Sequence, residues 1–129
     1  MKTFTVTLRE TLAAELRRDP AVLLMGEDIG AYGGAFGVTK GLLAEFGPER
    51  IRDTPISEQA LVGTAIGAAA AGLRPVVEIM FMDFITLAVD QLANLAAKLS
   101  YIYRLPCPVV VRAPTGGGRG YGATHSQCL

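Results

Sequence analysis

Asp53-Thr54-Pro55-Ile56-Ser57-Glu58-Gln59-Ala60, with the small-residue run Leu61 to Leu73 behind it, reads as a strand end, a tight corner and then a helix. Ile51 to Asp53 closes a short strand. Pro55 favours an extended Thr54 and stops any helix arriving from upstream. Ser57 is a good N-cap type, so its hydroxyl is expected to accept from the first-turn N–H groups. Glu58 then occupies the first helical position, where its carboxylate faces the positive end of the helix dipole. Gly63, Gly67 and Ala71 recur every four residues and share one face of that helix. Glycine costs about 1 kcal/mol against alanine in a helix interior. Two glycines on one stripe therefore predict close packing against another backbone.

The pattern on either side is alternating. Upstream, Thr7 to Arg18 has helical spacing at Leu8, Leu12, Ala13 and Leu16, and Asp19-Pro20 ends it. Ala21 to Met25 is a continuous apolar run, as in a buried parallel strand. The glycine-dense loop Gly26 to Gly37 follows it directly, at the strand end where open α/β sheets bind their ligands. Val38 to Phe46 is predicted as a helix closed by Gly47-Pro48. Downstream, Arg74-Pro75 breaks the small-residue helix and Val76 to Met80 is the next strand. Phe81 to Tyr103 carries a long helical pattern, and Val109 to Val111 is a fourth strand. This order predicts an α/β fold: a parallel sheet with helices on both faces, three layers in all.

Size and charge narrow the function. The chain has 129 residues, enough for one domain, and 50% are hydrophobic. Twelve basic residues balance twelve acidic ones, with no basic stripe, which argues against nucleic acid as a partner. The longest apolar stretch is too short and too rich in glycine to span a bilayer. The two cysteines, Cys107 and Cys128, have no metal spacing, and a reduced cytoplasmic protein is the simplest expectation. The chain stops where a loop should turn into another element, as a fragment would.

Single residues leave the chemistry open. The glycine loops lack both GxGxxG and GxxxxGK[ST] spacing, so unusual backbone angles explain them more simply than phosphate binding. Glu58 is either a dipole partner or a part-buried carboxyl that shares a proton with a ring nitrogen. His125, the single histidine, is either a surface residue of a glycine-rich loop or a proton donor at the ligand edge of the sheet. Met80, Phe81 and Phe84 are either core or a flat wall for a planar ring.

Several stretches together carry a resemblance. Gly26-Glu27-Asp28, YGGAFGVTKG (Tyr32 to Gly41), FGPERI (Phe46 to Ile51), DTPISEQ (Asp53 to Gln59), FMDFITLAVD (Phe81 to Asp90), Arg112-Ala113-Pro114 and His125-Ser126-Gln127 resemble one family in order. That family is the β subunit of the thiamine-diphosphate-dependent E1 component of 2-oxo acid dehydrogenases, of pyruvate, branched-chain and acetoin type. The resemblance covers essentially the whole chain and implies the N-terminal pyrimidine-binding domain, without the C-terminal transketolase-type domain. It implies that Glu58 bonds the aminopyrimidine ring of thiamine diphosphate and that Ile56, Met80 and Phe84 surround that ring. It implies that His125 lies near the substrate and the incoming lipoyl group. It further implies a potassium-type cation site on the backbone of Cys107, Val109 and Val110. The short Tyr103 to Pro108 segment departs from the family there. Mg2+ and the diphosphate are held in this family by a GDG…N motif of the α chain, and no GDG occurs here. The implied partners are an E1 α chain and a second β chain in a heterotetramer, and the lipoyl domain of E2. Two other readings stay open: a non-catalytic association domain, and a subunit of a two-chain transketolase-like enzyme.

Overall fold

The computed structural model describes residues 1–115, 120–127 and 129. Cys128 and residues 116–119 lie outside the described residues. Four parallel strands form one sheet: β1 (Val22–Gly26), β2 (Ile51–Asp53), β3 (Arg74–Glu78) and β4 (Val110–Arg112), in the order β2-β1-β3-β4. All of β1 is buried. Its Leu23 and Met25 face one side of the sheet, and Val22 and Leu24 face the other. Period-two alternation therefore feeds two separate cores.

On the Val22–Leu24 face lie α1 (Phe4–Arg18) and α2 (Leu42–Phe46), which bury Ala13, Leu16 and Leu42 with Ile29 and Ile51. On the opposite face lies α3 (Glu58–Ala70). It buries Leu61, Val62, Ala65 and Ile66 against Val77 and Ile79. Each fully buried Leu, Val or Ile contributes about 1.5–3 kcal/mol, so this stripe holds α3 on the sheet. Helices on both faces of a parallel sheet make the expected three-layer α/β architecture.

Several elements differ from the sequence expectation. Thr3 caps α1 by accepting from the Val6 N–H at 3.3 Å, so the helix starts before Thr7. Val38 to Gly41 is turn rather than helix, with Gly41 in the left-handed region at φ 87°. Ser57 does not cap α3 with its hydroxyl, which donates back to the Pro55 carbonyl at 3.1 Å. β3 begins at Arg74, with Pro75 paired to Leu23 of β1 before β4 joins at Val76. The missing proline N–H therefore falls where β3 has no β4 partner.

The largest difference is the long helical pattern. Met82–Ala88 is a 3-10 helix, Gln91–Ala96 a π-helical turn, and only α4 (Ala97–Tyr103) is regular. Polar side chains bond locally along this segment. The Thr86 hydroxyl donates to the Asp83 carbonyl, and the Asp90 carboxylate accepts from the Gln91 and Asn94 amides. The small-residue stripe of α3 also behaves unexpectedly. A Cβ on Gly63 would meet the Gln91 side chain at 3.2 Å, whereas Gly67 is exposed and a Cβ there meets nothing within 4 Å among the described residues.

Candidate active site

Strand register gathers the chemistry. Gly26 lies level with both Asp53 and Glu78, and Glu78 with Arg112, so all four strands end on one line. Their C-terminal ends form the edge where open α/β sheets bind ligands. The chain continues the ladder past the strands: Thr54 N–H donates to Gly26 at 3.0 Å, and Ile79 N–H donates to Arg112 at 2.9 Å. Met82 N–H donates to the Pro114 carbonyl at 2.9 Å, which ties the turn after β3 to the loop after β4.

Glu58 opens α3 at this edge and is only 5% exposed. A second carboxylate, Glu27, leaves the end of β1 and is equally buried. Burial pushes the Glu27 carboxyl above its ordinary range, and the nearby Glu58 charge adds to this. The Ser57 N–H, which donates to Glu27, works the other way. Glu27 holds a proton more readily than an ordinary glutamate. Gly26 is what lets Glu27 lie there. A Cβ on Gly26 would stand 2.7 Å from the Glu78 carbonyl oxygen, a backbone atom that cannot move aside.

Three buried oxygens have no hydrogen-bond partner among the described residues: Glu27 Oε1, Thr54 Oγ1 and Ser126 Oγ. Buried polar atoms are normally paired. These orphans follow β1, follow β2 and lie in the His125 segment, so each belongs to the same edge.

His125 sits across that edge. Its ring stands edge-on to Phe81 and to Phe84, with centroids 5.1 Å away in both cases. Phe81 is the hub of an aromatic cluster that also takes in Phe36 and Tyr121 at 6.0 and 5.9 Å. His125 Nδ1 shares a hydrogen bond of 2.8 Å with the Thr124 hydroxyl. Phe84 and Met80 are half-buried, but Ile56 is 80% exposed and walls nothing among the described residues. Cys107 and Val109 are half-buried and Val110 exposed, and the Cys107 carbonyl accepts from the Val109 N–H at 2.9 Å. Burial pushes the Cys107 thiol upward in pKa. The plain reading of the first glycine loop fits its backbone: Gly33, Gly34 and Gly37 have φ of 88°, 80° and 67°.

Two residues here were not assigned roles from the sequence. Glu27 had one usable signal, an acid placed immediately after a buried apolar strand. Asp83, 6% exposed, had none, because it looks like an ordinary polar position of a helix. Glu78 and Arg112 form a buried ion pair beside them, and burial holds the Glu78 carboxyl above its ordinary range despite the guanidinium.

The chain has relatives among known proteins. The family "Transketolase, pyrimidine binding domain" matches residues 1–129. The chain is 52% identical, over 95% of its length, to "Pyruvate dehydrogenase E1 component subunit beta" of Chaetosphaeridium globosum, and covers 38% of that protein. It is 48% identical to "Pyruvate dehydrogenase E1 component subunit beta-2, mitochondrial" of Oryza sativa subsp. japonica, over 95% of this chain and 34% of that one. It is 46% identical to "Acetoin:2,6-dichlorophenolindophenol oxidoreductase subunit beta" of Cupriavidus necator, over 96% of this chain and 40% of the relative. The chain thus spans between 34% and 40% of the length of these relatives. With a family match across every residue and relatives this near, the chain belongs to the transketolase pyrimidine-binding domain family, and its relatives include β subunits of pyruvate dehydrogenase E1 and of an acetoin oxidoreductase.

Proposed function

We propose that this chain is the pyrimidine-binding domain of an E1 β subunit that, with an α chain, decarboxylates a 2-oxo acid or cleaves acetoin and passes the acyl group to a lipoyl group of E2. The observation that carries the reading is the pair of buried carboxylates, Glu58 and Glu27, at the head of α3, with His125 across the same strand-end edge. The residues present fit the aminopyrimidine end of thiamine diphosphate. That ring offers nitrogens that share a proton with a carboxyl group and an amino group that donates. Glu58 would hold the ring nitrogen, and the unpartnered Glu27 Oε1 and Thr54 Oγ1 are acceptors left for donors of a ligand. Met80 and Phe84 would flank the ring. Ile56 would join them only once a partner chain covers it.

When bound, thiamine diphosphate supplies the nucleophilic carbon that attacks the substrate carbonyl. This chain's residues handle protons. Glu58 would hold and return the proton at the ring nitrogen. His125, with Nδ1 tied to Thr124, would present Nε2 toward the substrate side. The diphosphate and Mg2+ would be held mainly by the α chain, through the GDG…N motif that this sequence does not carry. The K+ site on Cys107, Val109 and Val110 would need further ligands from outside this chain. A heterotetramer of two α and two β chains in the cytoplasm completes the reading.

Glu58→Gln tests it. The glutamine keeps the shape and a hydrogen bond but cannot relay a proton. In the enzyme assembled with its α chain, thiamine diphosphate is expected to bind near parental affinity, while exchange of its C2 proton slows by about a hundredfold or more. Exchange is followed by NMR after acid quench. Parental exchange in the glutamine variant would reduce Glu58 to a helix-start residue and remove the proposed chemistry.

A further inference from the structure

The segment that carries His125 has little secondary structure of its own. Gly122–Thr124 is a single 3-10 turn, and His125 N–H reaches back to the Gly122 carbonyl only at 3.4 Å. A side chain whose placement matters for chemistry must be held from outside such a turn. Asp83 does this. Its carboxylate, buried at the start of the 3-10 helix after β3, accepts from the Gln127 N–H at 3.0 Å. The Gln127 carbonyl in turn accepts from the Thr115 hydroxyl at 3.0 Å. The main chain two residues past His125 is therefore gripped on both sides.

The same short segment grips the ring. Phe81 and Phe84 flank Asp83 in sequence, and both stand edge-on to His125. Asp83 thus fixes the backbone and its neighbours fix the imidazole, from one rigid turn. The turn is itself anchored, since Phe84 N–H donates to Phe81 and the Thr86 hydroxyl to the Asp83 carbonyl. Burial works to raise the Asp83 carboxyl. The Gln127 donation, its own N–H and the His125 charge outweigh burial and leave the group below its ordinary range, as an anionic acceptor.

We infer that Asp83 is a positioning residue, which places His125 in the active site by accepting the Gln127 N–H while Phe81 and Phe84 clamp the imidazole. The inference rests on the proposed role of His125. It predicts that Asp83 acts through His125 and not on the cofactor end where Glu58 lies.

The test uses the full-length β chain assembled with its α chain, thiamine diphosphate and Mg2+. His125→Ala is expected to lower turnover about a hundredfold. Asp83→Ala is expected to lower it by about tenfold to a hundredfold, because the ring then drifts from its working position. Asp83→Asn keeps an oxygen acceptor for Gln127 and is expected to recover most of the loss. Exchange of the cofactor C2 proton should stay within about twofold of the parent in Asp83→Ala, since Glu58 is untouched. In a His125→Ala background, Asp83→Ala should add nothing. Additive losses in the double variant, a slowed C2 exchange, or an asparagine variant as poor as the alanine one would each overturn the inference. Parental turnover in His125→Ala would instead overturn the proposed role of His125, and the inference with it. Should Asp83→Ala fail to assemble, Thr115→Val opens the other bond to Gln127 at an exposed position. It should lower turnover about threefold with C2 exchange intact, and parental turnover there would also overturn the inference.

Discussion

Glu58 and Glu27 illustrate what is visible at the scale of one residue. Glu58 was legible because Pro55 and Ser57 bracket a corner, and a corner puts the next acid at a helix start. Its burial was not legible, since that depends on β1 ending beside it. Glu27 had its place directly after a buried apolar strand as a signal, but its closeness to Glu58 needed the strand register. Its raised pKa has a consequence for stability. The folded chain keeps the Glu27 proton to higher pH than the unfolded chain, whose ordinary value is 4.5. The contribution is therefore fully present below about pH 4.5 and is lost as pH rises through the folded-state value. Glu27→Gln removes that loss. In cofactor-free assembled protein its melting temperature should exceed the parent's at pH 7, with the gap closing below the ordinary glutamate value. Thermal melts across pH check this, and a gap that persists in acid would show the effect to be packing rather than ionisation.

At the scale of the element, the strands were readable and the helix ends were not. Short apolar runs such as Ala21 to Met25 leave little choice, because a strand buried on both faces has to be continuous. Helix ends depend on which donor meets which acceptor, and long-range partners win. The Ser57 corner shows this, since its N–H goes to Glu27 and its hydroxyl to Pro55. Losing a true N-cap hydroxyl costs about 1 kcal/mol. Ser57→Ala should instead cost less than about 0.5 kcal/mol by denaturant unfolding, as at an ordinary surface position. A loss of 1 kcal/mol or more would return the hydroxyl to a capping role. The Met82 to Tyr103 segment misled for a related reason. Its apolar spacing suits a helix, but the Asp83, Thr86 and Asp90 side chains compete for backbone and neighbours, and the segment changes pitch twice before α4.

At the scale of the whole molecule, alternation of strands and helices was enough to give the class and the three layers. The strand order was not stated by any local signal; it follows from which crossovers fit. Nor could the sequence say that the small-residue stripe of α3 would meet a side chain at Gly63 and lie open at Gly67. Leu87, Val89, Tyr101, Ile102 and Tyr103, all on the one segment from Met82 to Tyr103, are between 49% and 80% exposed. Apolar surface gathered in this way marks an interface. The isolated chain is expected to self-associate at concentrations where an ordinary domain of this size stays single. Light scattering that shows a clean monomer at high concentration would contradict this.

The aromatic cluster around Phe81 also makes the molecule unusually easy to watch. The chain contains no tryptophan. Phe36 stands edge-on to Phe81, the ring that also meets His125. An indole introduced there would be the sole fluorophore of its kind in this chain, one ring removed from His125. Its emission would report, without a label, each time the His125 segment shifts or a ligand dries the strand-end edge.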